Sequence, residues 1–153
     1  MKLQRIIEIL DYTLLKPTAS KVDIKYFCEE TIQYGFKTVF VNPYYISYVN
    51  SLLKGHDVMV GAPIGFSLGG AITKVKVQET KNVIKDGAKE IDMLINLGAL
   101  KSKEYDVVKH DITEIVKAAD GLTTKVIIEA SLLTNEEKKI ASELIVETGA
   151  DFV

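Results

Sequence analysis

The stretch Lys89-Glu90-Ile91-Asp92-Met93-Leu94-Ile95-Asn96, with Gly87 ahead of it and Gly98 behind, decides how this chain is read. Apolar residues between two glycines predict a short strand. Its alternate positions differ in character. Ile91, Met93 and Ile95 form an apolar row, whereas Glu90, Asp92, Leu94 and Asn96 form a row that is mostly polar. Water on one side of an open sheet accounts for such alternation. If the neighbouring strands are parallel and covered by helices, the polar row points instead into an enclosed space. A carboxylate at Asp92 is then costly to bury without partners or a chemical task.

Outward from that strand, Gly35, Gly55, Gly87, Gly121 and Gly149 recur in one context, each after a helix-like segment and before a strand-like one. The strands predicted are Asp11–Leu15, Thr38–Val41, Val58–Ile64, Glu90–Ile95 and Lys125–Ala130, with a further one beginning at Phe152. A short N-terminal helix is expected on Leu3, Ile6, Ile7 and Leu10. Ser20 followed by Asp23, and Thr134 followed by Glu137, read as helix starts. Asn42-Pro43 predicts a cap and first-turn proline for a helix over Tyr44–Lys54. Inner stripes are expected at Ile24, Phe27, Cys28 and Thr31; at Ile72, Val75, Val83 and Ile84; at Tyr105, Val108, Ile112, Ile115 and Val116; and at Ile140, Ala141, Leu144 and Ile145.

Strand–helix alternation of this length predicts an α/β fold with a parallel sheet. An open sheet buried under helices on both faces should be apolar on both. Here Glu90, Asp92, Lys125 and Glu129 keep charge on one row, which suits the interior of a TIM (β/α)8 barrel narrowing to a polar mouth. A barrel needs eight units and about 250 residues, whereas these 153 residues supply five and begin a sixth. Residues 1–153 are therefore expected to be the N-terminal part of one barrel domain, truncated at the start of strand six.

Composition excludes several classes. With 47% hydrophobic residues, 26% charged and a formal net charge of -2, no basic excess suggests nucleic acid and no basic amphipathic face suggests a membrane. Met1-Lys2-Leu3-Gln4-Arg5 is too polar to begin a signal peptide. The single cysteine, Cys28, forbids an internal disulfide, so a reduced, cytoplasmic setting is the expectation.

Gly65-Phe66-Ser67-Leu68-Gly69 fits the G-x-S-x-G pattern of a hydrolase nucleophile elbow. The later histidine, His110, falls within a helix, so a serine hydrolase using Ser67 is a minor alternative to a glycine-rich loop. His56 and His110 sit outside any cluster at metal-ligand spacing and read as surface residues. Cys28, on a buried stripe, reads as packing, and so do Tyr44, Tyr45 and Tyr48. The polar row is the strongest lead: Asp11, Thr13 and Leu15 on the first strand, Asp92 on the fourth, Lys125 and Glu129 on the fifth. They read either as an enclosed reactive site or as a structural Lys125–carboxylate pair.

Several segments carry a resemblance, in order and at matching spacing. They are Asp11-Tyr12-Thr13-Leu14-Leu15-Lys16-Pro17, Val41-Asn42-Pro43-Tyr44-Tyr45, Ile64-Gly65-Phe66 with Leu68-Gly69, Glu90-Ile91-Asp92-Met93, Gly98-Ala99-Leu100-Lys101-Ser102, Lys125-Val126-Ile127-Ile128-Glu129 and Gly149-Ala150-Asp151-Phe152-Val153. Together they resemble the deoxyribose-phosphate aldolase family. The resemblance implies a TIM barrel and a metal-independent class I aldolase with no cofactor. It implies reversible cleavage of 2-deoxy-D-ribose 5-phosphate to acetaldehyde and D-glyceraldehyde 3-phosphate through a lysine Schiff base. Asp92 matches the family's proton-transferring aspartate, and Asp11 and Thr13 match pocket positions. Leu15, Lys125 and Glu129 are assigned to the site wall by alternation alone.

Ser67 stands where the family usually has proline, and Phe40 where many members have a pocket cysteine. The family's Schiff-base lysine follows the segment matching Asp151-Phe152-Val153. The chain as given is therefore expected to be inactive alone, since Lys125 is expected to open its strand at the end away from the catalytic mouth. A second expectation is an assembly module, in which an unclosed barrel covers its edges by self-association or as a homo-oligomer.

Overall fold

The computed structural model of the chain describes residues 6, 7 and 9–153. Five strands, β1 (Asp11–Leu14), β2 (Thr38–Val41), β3 (Met59–Ile64), β4 (Glu90–Leu94) and β5 (Thr123–Ile127), alternate with helices. The helices are α1 (Lys21–Tyr34), α2 (Ile46–Leu52), α3 (Thr73–Lys85), α4 (Leu97–Lys101), α5 (Tyr105–Ala119) and α6 (Asn135–Val146). The parallel strands are hydrogen-bonded in chain order, β1-β2-β3-β4-β5. Parallel neighbours need a crossover, and a helix supplies one each time. In-order parallel strands with helical returns are the pattern of a TIM barrel, here an incomplete one. The expected N-terminal helix lies partly outside the described residues.

The chain forms two compact units, Met1–Ala62 with Val83–Glu90, and Pro63–Asn82 with Ile91–Val153. In the first, β1 and β2 run in register as Asp11↔Thr38 and Thr13↔Phe40, and β2 meets β3 as Phe40↔Gly61. Period-two alternation then divides β1. Tyr12 turns toward α1, its ring stacked 4.5 Å from Phe27 and 4.3 Å from Phe36, with its hydroxyl donating to Glu30 Oε2 at 3.0 Å. Asp11 and Thr13 take the other face and are exposed. Ser20 caps α1 in a full capping box with Asp23, and Gly35 ends it at φ 78°. The stripe between them buries Ile24, Phe27, Cys28 and Thr31, as the spacing predicts.

Asn42-Pro43 is borne out in position, with Asn42 at the N-cap and Pro43 in the first turn, but not in helix type. Pro43–Tyr45 form a 3-10 turn and the α-helix begins only at Ile46. Asn42 makes no side-chain cap; its amide donates to the Lys16 carbonyl at 3.4 Å instead. The consecutive rings of Tyr44 and Tyr45 meet edge-on, 4.9 Å between centroids, and the Tyr45 hydroxyl donates to Ala19 O at 2.6 Å. Such a side-chain bond to a distant loop is invisible to a local helix rule.

In the second unit, Thr134 and Glu137 form the other capping box, at the start of α6. Its inner side buries Ala141, Leu144 and Ile145, with Ile140 half-buried. The expected stripe of α3 is half right: Val83 is buried and Ile84 half-buried, but Ile72 and Val75 are exposed, and Lys76 and Thr80 are buried in their stead. On α5 the buried set is Val108, Asp111, Ile112, Ile115 and Ala119, so Asp111 replaces the expected Tyr105 and Val116. Strand β5 also shifts, from an expected Lys125–Ala130 to Thr123–Ile127, because the backbone turns to φ 49° at Glu129. Beyond α6, Phe152 makes a parallel bridge to Lys125, where the next strand was expected to begin.

Two measurements check these elements. Ser20→Ala removes a capping box and is expected to lower stability by about 1 kcal/mol in urea unfolding. The Glu137 carboxyl is held near 2 rather than 4.5, first because the Lys101 ammonium donates to it and next because the Thr134 N–H does. A depressed carboxyl stabilises the folded chain above its unfolded value and loses that contribution as pH falls through its folded one. Glu137→Gln is therefore expected to flatten the acid limb of a Tm-against-pH curve between about 4.5 and about 2; an unaltered limb contradicts the assignment.

Candidate functional site

Every residue of β4 is buried, so its polar row is enclosed rather than solvated. Asp92 retains 8% exposure and Glu90 5%. In the second unit, Lys125 Nζ lies 3.8 Å from Asp92 Oδ1, both side chains largely out of water. Opposite charges at that separation attract, which offsets part of the cost of enclosing the carboxylate. Lys125 is the middle residue of β5, flanked by Thr124 and Val126, which are buried on the opposite face. It does not open the strand, as the sequence suggested. Correct placement of the strand, two residues earlier, carries its ammonium to Asp92.

Glu129 does not join them. It lies past the end of β5 in left-handed conformation, exposed, and accepts a hydrogen bond from Ser131 Oγ at 2.8 Å. The alternation that placed it on the site wall stops where the strand stops. In the first unit, Asp11 and Thr13 share their face with Phe40 and Gly61 through the strand register. Thr13 Oγ1 donates to Asp11 O at 2.9 Å. The Phe40 ring fills the space over Gly61, where an added Cβ would lie 2.2 Å from Phe40 Cζ. Leu15 follows the last residue of β1 and is half-buried.

The Gly65–Gly69 loop follows β3 directly, and α3 begins only at Thr73. A nucleophile elbow needs its serine at a sharp strand-to-helix turn; Ser67 is instead exposed within a loop. The glycines have other work. A Cβ on Gly65 would stand 2.9 Å from Lys76 Cε, and one on Gly69 2.0 Å from the Ile95 carbonyl. Gly65 N–H donates to Glu79 Oε2 at 2.9 Å. Beneath the loop, Lys76 Nζ donates to Asp111 Oδ2 at 2.6 Å and to the Leu94 carbonyl at 3.2 Å. This pair has side-chain exposures of 0% and 2%. Apolar stripes alone missed it, yet the signal was present: Asp111 falls between Val108 and Ile115 on the inward face of α5.

Other candidates separate from the site. His56 and His110 are exposed. A cavity of about 580 Å³ in the first unit is bordered by Ser47, Asn50, Lys54, His56, Met59 and Lys89. It opens where β3 begins and just ahead of β4, whereas barrel chemistry gathers at the strands' C-terminal ends. Its lysines follow helix C-termini, where cations balance the exposed carbonyls. Among the described residues no group of three or more His, Cys, Asp or Glu could hold a metal ion, and no helix is long and apolar enough to cross a membrane.

Comparison with known proteins adds to this geometry. A family profile described as DeoC/LacD family aldolase matches residues 6–153. "Deoxyribose-phosphate aldolase 2" of Oceanobacillus iheyensis is 58% identical over 153 residues, covering 100% of this chain and 69% of that one. A Coccidioides immitis structure provisionally described as a deoxyribose-phosphate aldolase superposes with TM-score 0.96 at 38% identity, covering 99% of this chain and 60% of its own. The tetrameric deoxyribose phosphate aldolase from Aeropyrum pernix superposes with TM-score 0.90 at 31% identity, covering 98% of this chain and 63% of its own. The chain thus spans less than two thirds of these two solved structures.

Two reagents check what lies outside the site. Cys28 is buried, and burial, with the neighbouring Glu29 charge second, pushes its thiol up to about 11. Iodoacetamide at pH 8 is expected to label it only after denaturation. A fluorophosphonate probe is expected to leave Ser67 unlabelled.

Proposed function

The chain belongs to the DeoC/LacD aldolase family, and from that premise we propose that it takes part in cleaving 2-deoxy-D-ribose 5-phosphate to acetaldehyde and D-glyceraldehyde 3-phosphate. The observation that carries the proposal is the enclosed Asp92–Lys125 pair on adjacent strands. In a class I aldolase a lysine amine condenses with the substrate aldehyde, giving an iminium that accepts the electron pair of the breaking carbon–carbon bond. The C3 hydroxyl must lose a proton as that bond breaks, and the enamine carbon must gain one before hydrolysis releases acetaldehyde. Asp92, acting through water, is the group in these 153 residues suited to move those protons. Lys125 faces that carboxylate from the next strand. Asp11 and Thr13, on β1 in the first unit, match pocket positions by the family pattern alone, and Glu129 in the second unit lies away from the Asp92–Lys125 pair.

The attacking amine is a different lysine. Lys125 is engaged with the Asp92 carboxylate and is assigned to the site wall. By the family pattern, the Schiff-base lysine follows the segment Asp151-Phe152-Val153. Residues 1–153 alone are expected to be inactive, carrying the proton-transfer half of the chemistry and not the electron sink. A cytoplasmic, reduced setting suits the single buried cysteine.

Self-association is supported by a separate observation: the Aeropyrum pernix relative is described as a tetramer. Light scattering is expected to show an oligomer, and a monomer that unfolds cooperatively would sink this part of the reading.

For the chemistry, the 153-residue chain is incubated with substrate and borohydride and then weighed. No reduced adduct is expected, and an adduct on Lys125 would overturn its assignment. Extended with the C-terminal portion of the Oceanobacillus iheyensis relative, the chain is expected to catalyse retro-aldol cleavage, and Asp92→Asn to lower kcat by about 10²–10⁴-fold. An extended, folded chain without turnover rules out the aldolase reading.

A further inference from the structure

The buried Lys76–Asp111 pair is not used by the chemistry above, yet it contacts the strand that carries Asp92. Two charges removed from water are costly, and apolar side chains of similar volume often serve stability as well or better. Mere stability is therefore a poor reason for a fully buried lysine. What an apolar residue cannot do is donate a hydrogen bond. Lys76 Nζ donates two, to Asp111 Oδ2 and to the carbonyl of Leu94, the last residue of β4. Its stem lies against Gly65, whose N–H is held by Glu79 from the same helix. Gly69 of that loop packs against the Ile95 carbonyl. One side of α3 thus holds both the loop leaving β3 and the C-terminal end of β4.

We propose that Lys76 is a positioning residue for Asp92: anchored by Asp111, it fixes the Leu94 carbonyl and so the end of the strand on which Asp92 faces Lys125. Asp92 lies two residues from Leu94 on the same face of β4, so a shift of that carbonyl moves the carboxylate with it. The separation of 3.8 Å between Asp92 and Lys125 is long for an ion pair, and a small displacement changes it appreciably. The inference rests on Asp92 being the proton-transfer group.

Its test needs no substrate. The titration midpoint of the Asp92 carboxyl is followed by carbon NMR in the 153-residue chain. Lys76→Met with Asp111→Leu removes the pair without changing net charge, and Gly65→Ala, which alters no charge at all, separates a shift in geometry from loss of the pair's own field. A shift of about half a unit or more is expected. Ile115→Val removes one methyl group from the buried side of α5 and none of the hydrogen bonds at the Leu94 carbonyl, and is expected to leave the midpoint in place. If the double variant does not fold, Gly65→Ala decides, because its added Cβ displaces the Lys76 stem and alters no charge. A folded double variant, or in its absence Gly65→Ala, with an unmoved midpoint overturns the proposal. So does an Ile115→Val shift of equal size. Failure of the extended chain to cleave substrate would sink the aldolase reading while leaving this titration unaffected, so the two fail separately.

Discussion

A charged group taken out of water must be answered by another charge or by hydrogen bonds, and β4 meets that demand at Asp92 and at Leu94. Asp92 is met by Lys125 from the next strand. The carbonyl of Leu94 is met by Lys76, which is itself met by Asp111. Removing a single member of such a buried pair typically costs about 3–5 kcal/mol, because the survivor is left uncompensated. The second unit is arranged around these answers. Helices α3 and α5 each turn one charged residue inward among apolar ones, and β5 sits in the register that brings its central lysine to the carboxylate.

Glycine at the end of β3 follows from the same arrangement. Gly65 and Gly69 look, as letters, like the flanks of a nucleophilic serine. In space they are the positions where an added Cβ would meet the Lys76 stem and the Ile95 carbonyl. The motif reports close packing between a loop, a helix and a strand end. Ser67, between them, is exposed and contributes nothing to that packing. A short pattern carries chemistry only when its structural context accompanies it.

Helix boundaries were legible wherever the deciding contacts are local. Ser20 with Asp23 and Thr134 with Glu137 each close a ring three residues long, and both capping boxes form. All five recurring glycines take positive φ. Asn42 stands at the N-cap but makes no capping bond, its amide having a distant partner in Lys16. The α3 stripe held at Val83 and failed at Ile72 and Val75, because apolar periodicity assumes that charge faces water, whereas Lys76 is buried.

The sequence by itself determined the strand–helix alternation, the candidate carboxylate at Asp92 and the family, because these depend on spacing and residue type along the chain. Only the tertiary structure decided that the polar row of Glu90 and Asp92 is enclosed, that Lys125 reaches Asp92 while Glu129 does not, and that Lys76 and Asp111 are partners. Each of those turns on where a strand ends or which helix lies over it. A shift of two residues in β5 moves an ammonium from the rim to the carboxylate. A pair separated by 35 positions is not written in either residue's local neighbourhood.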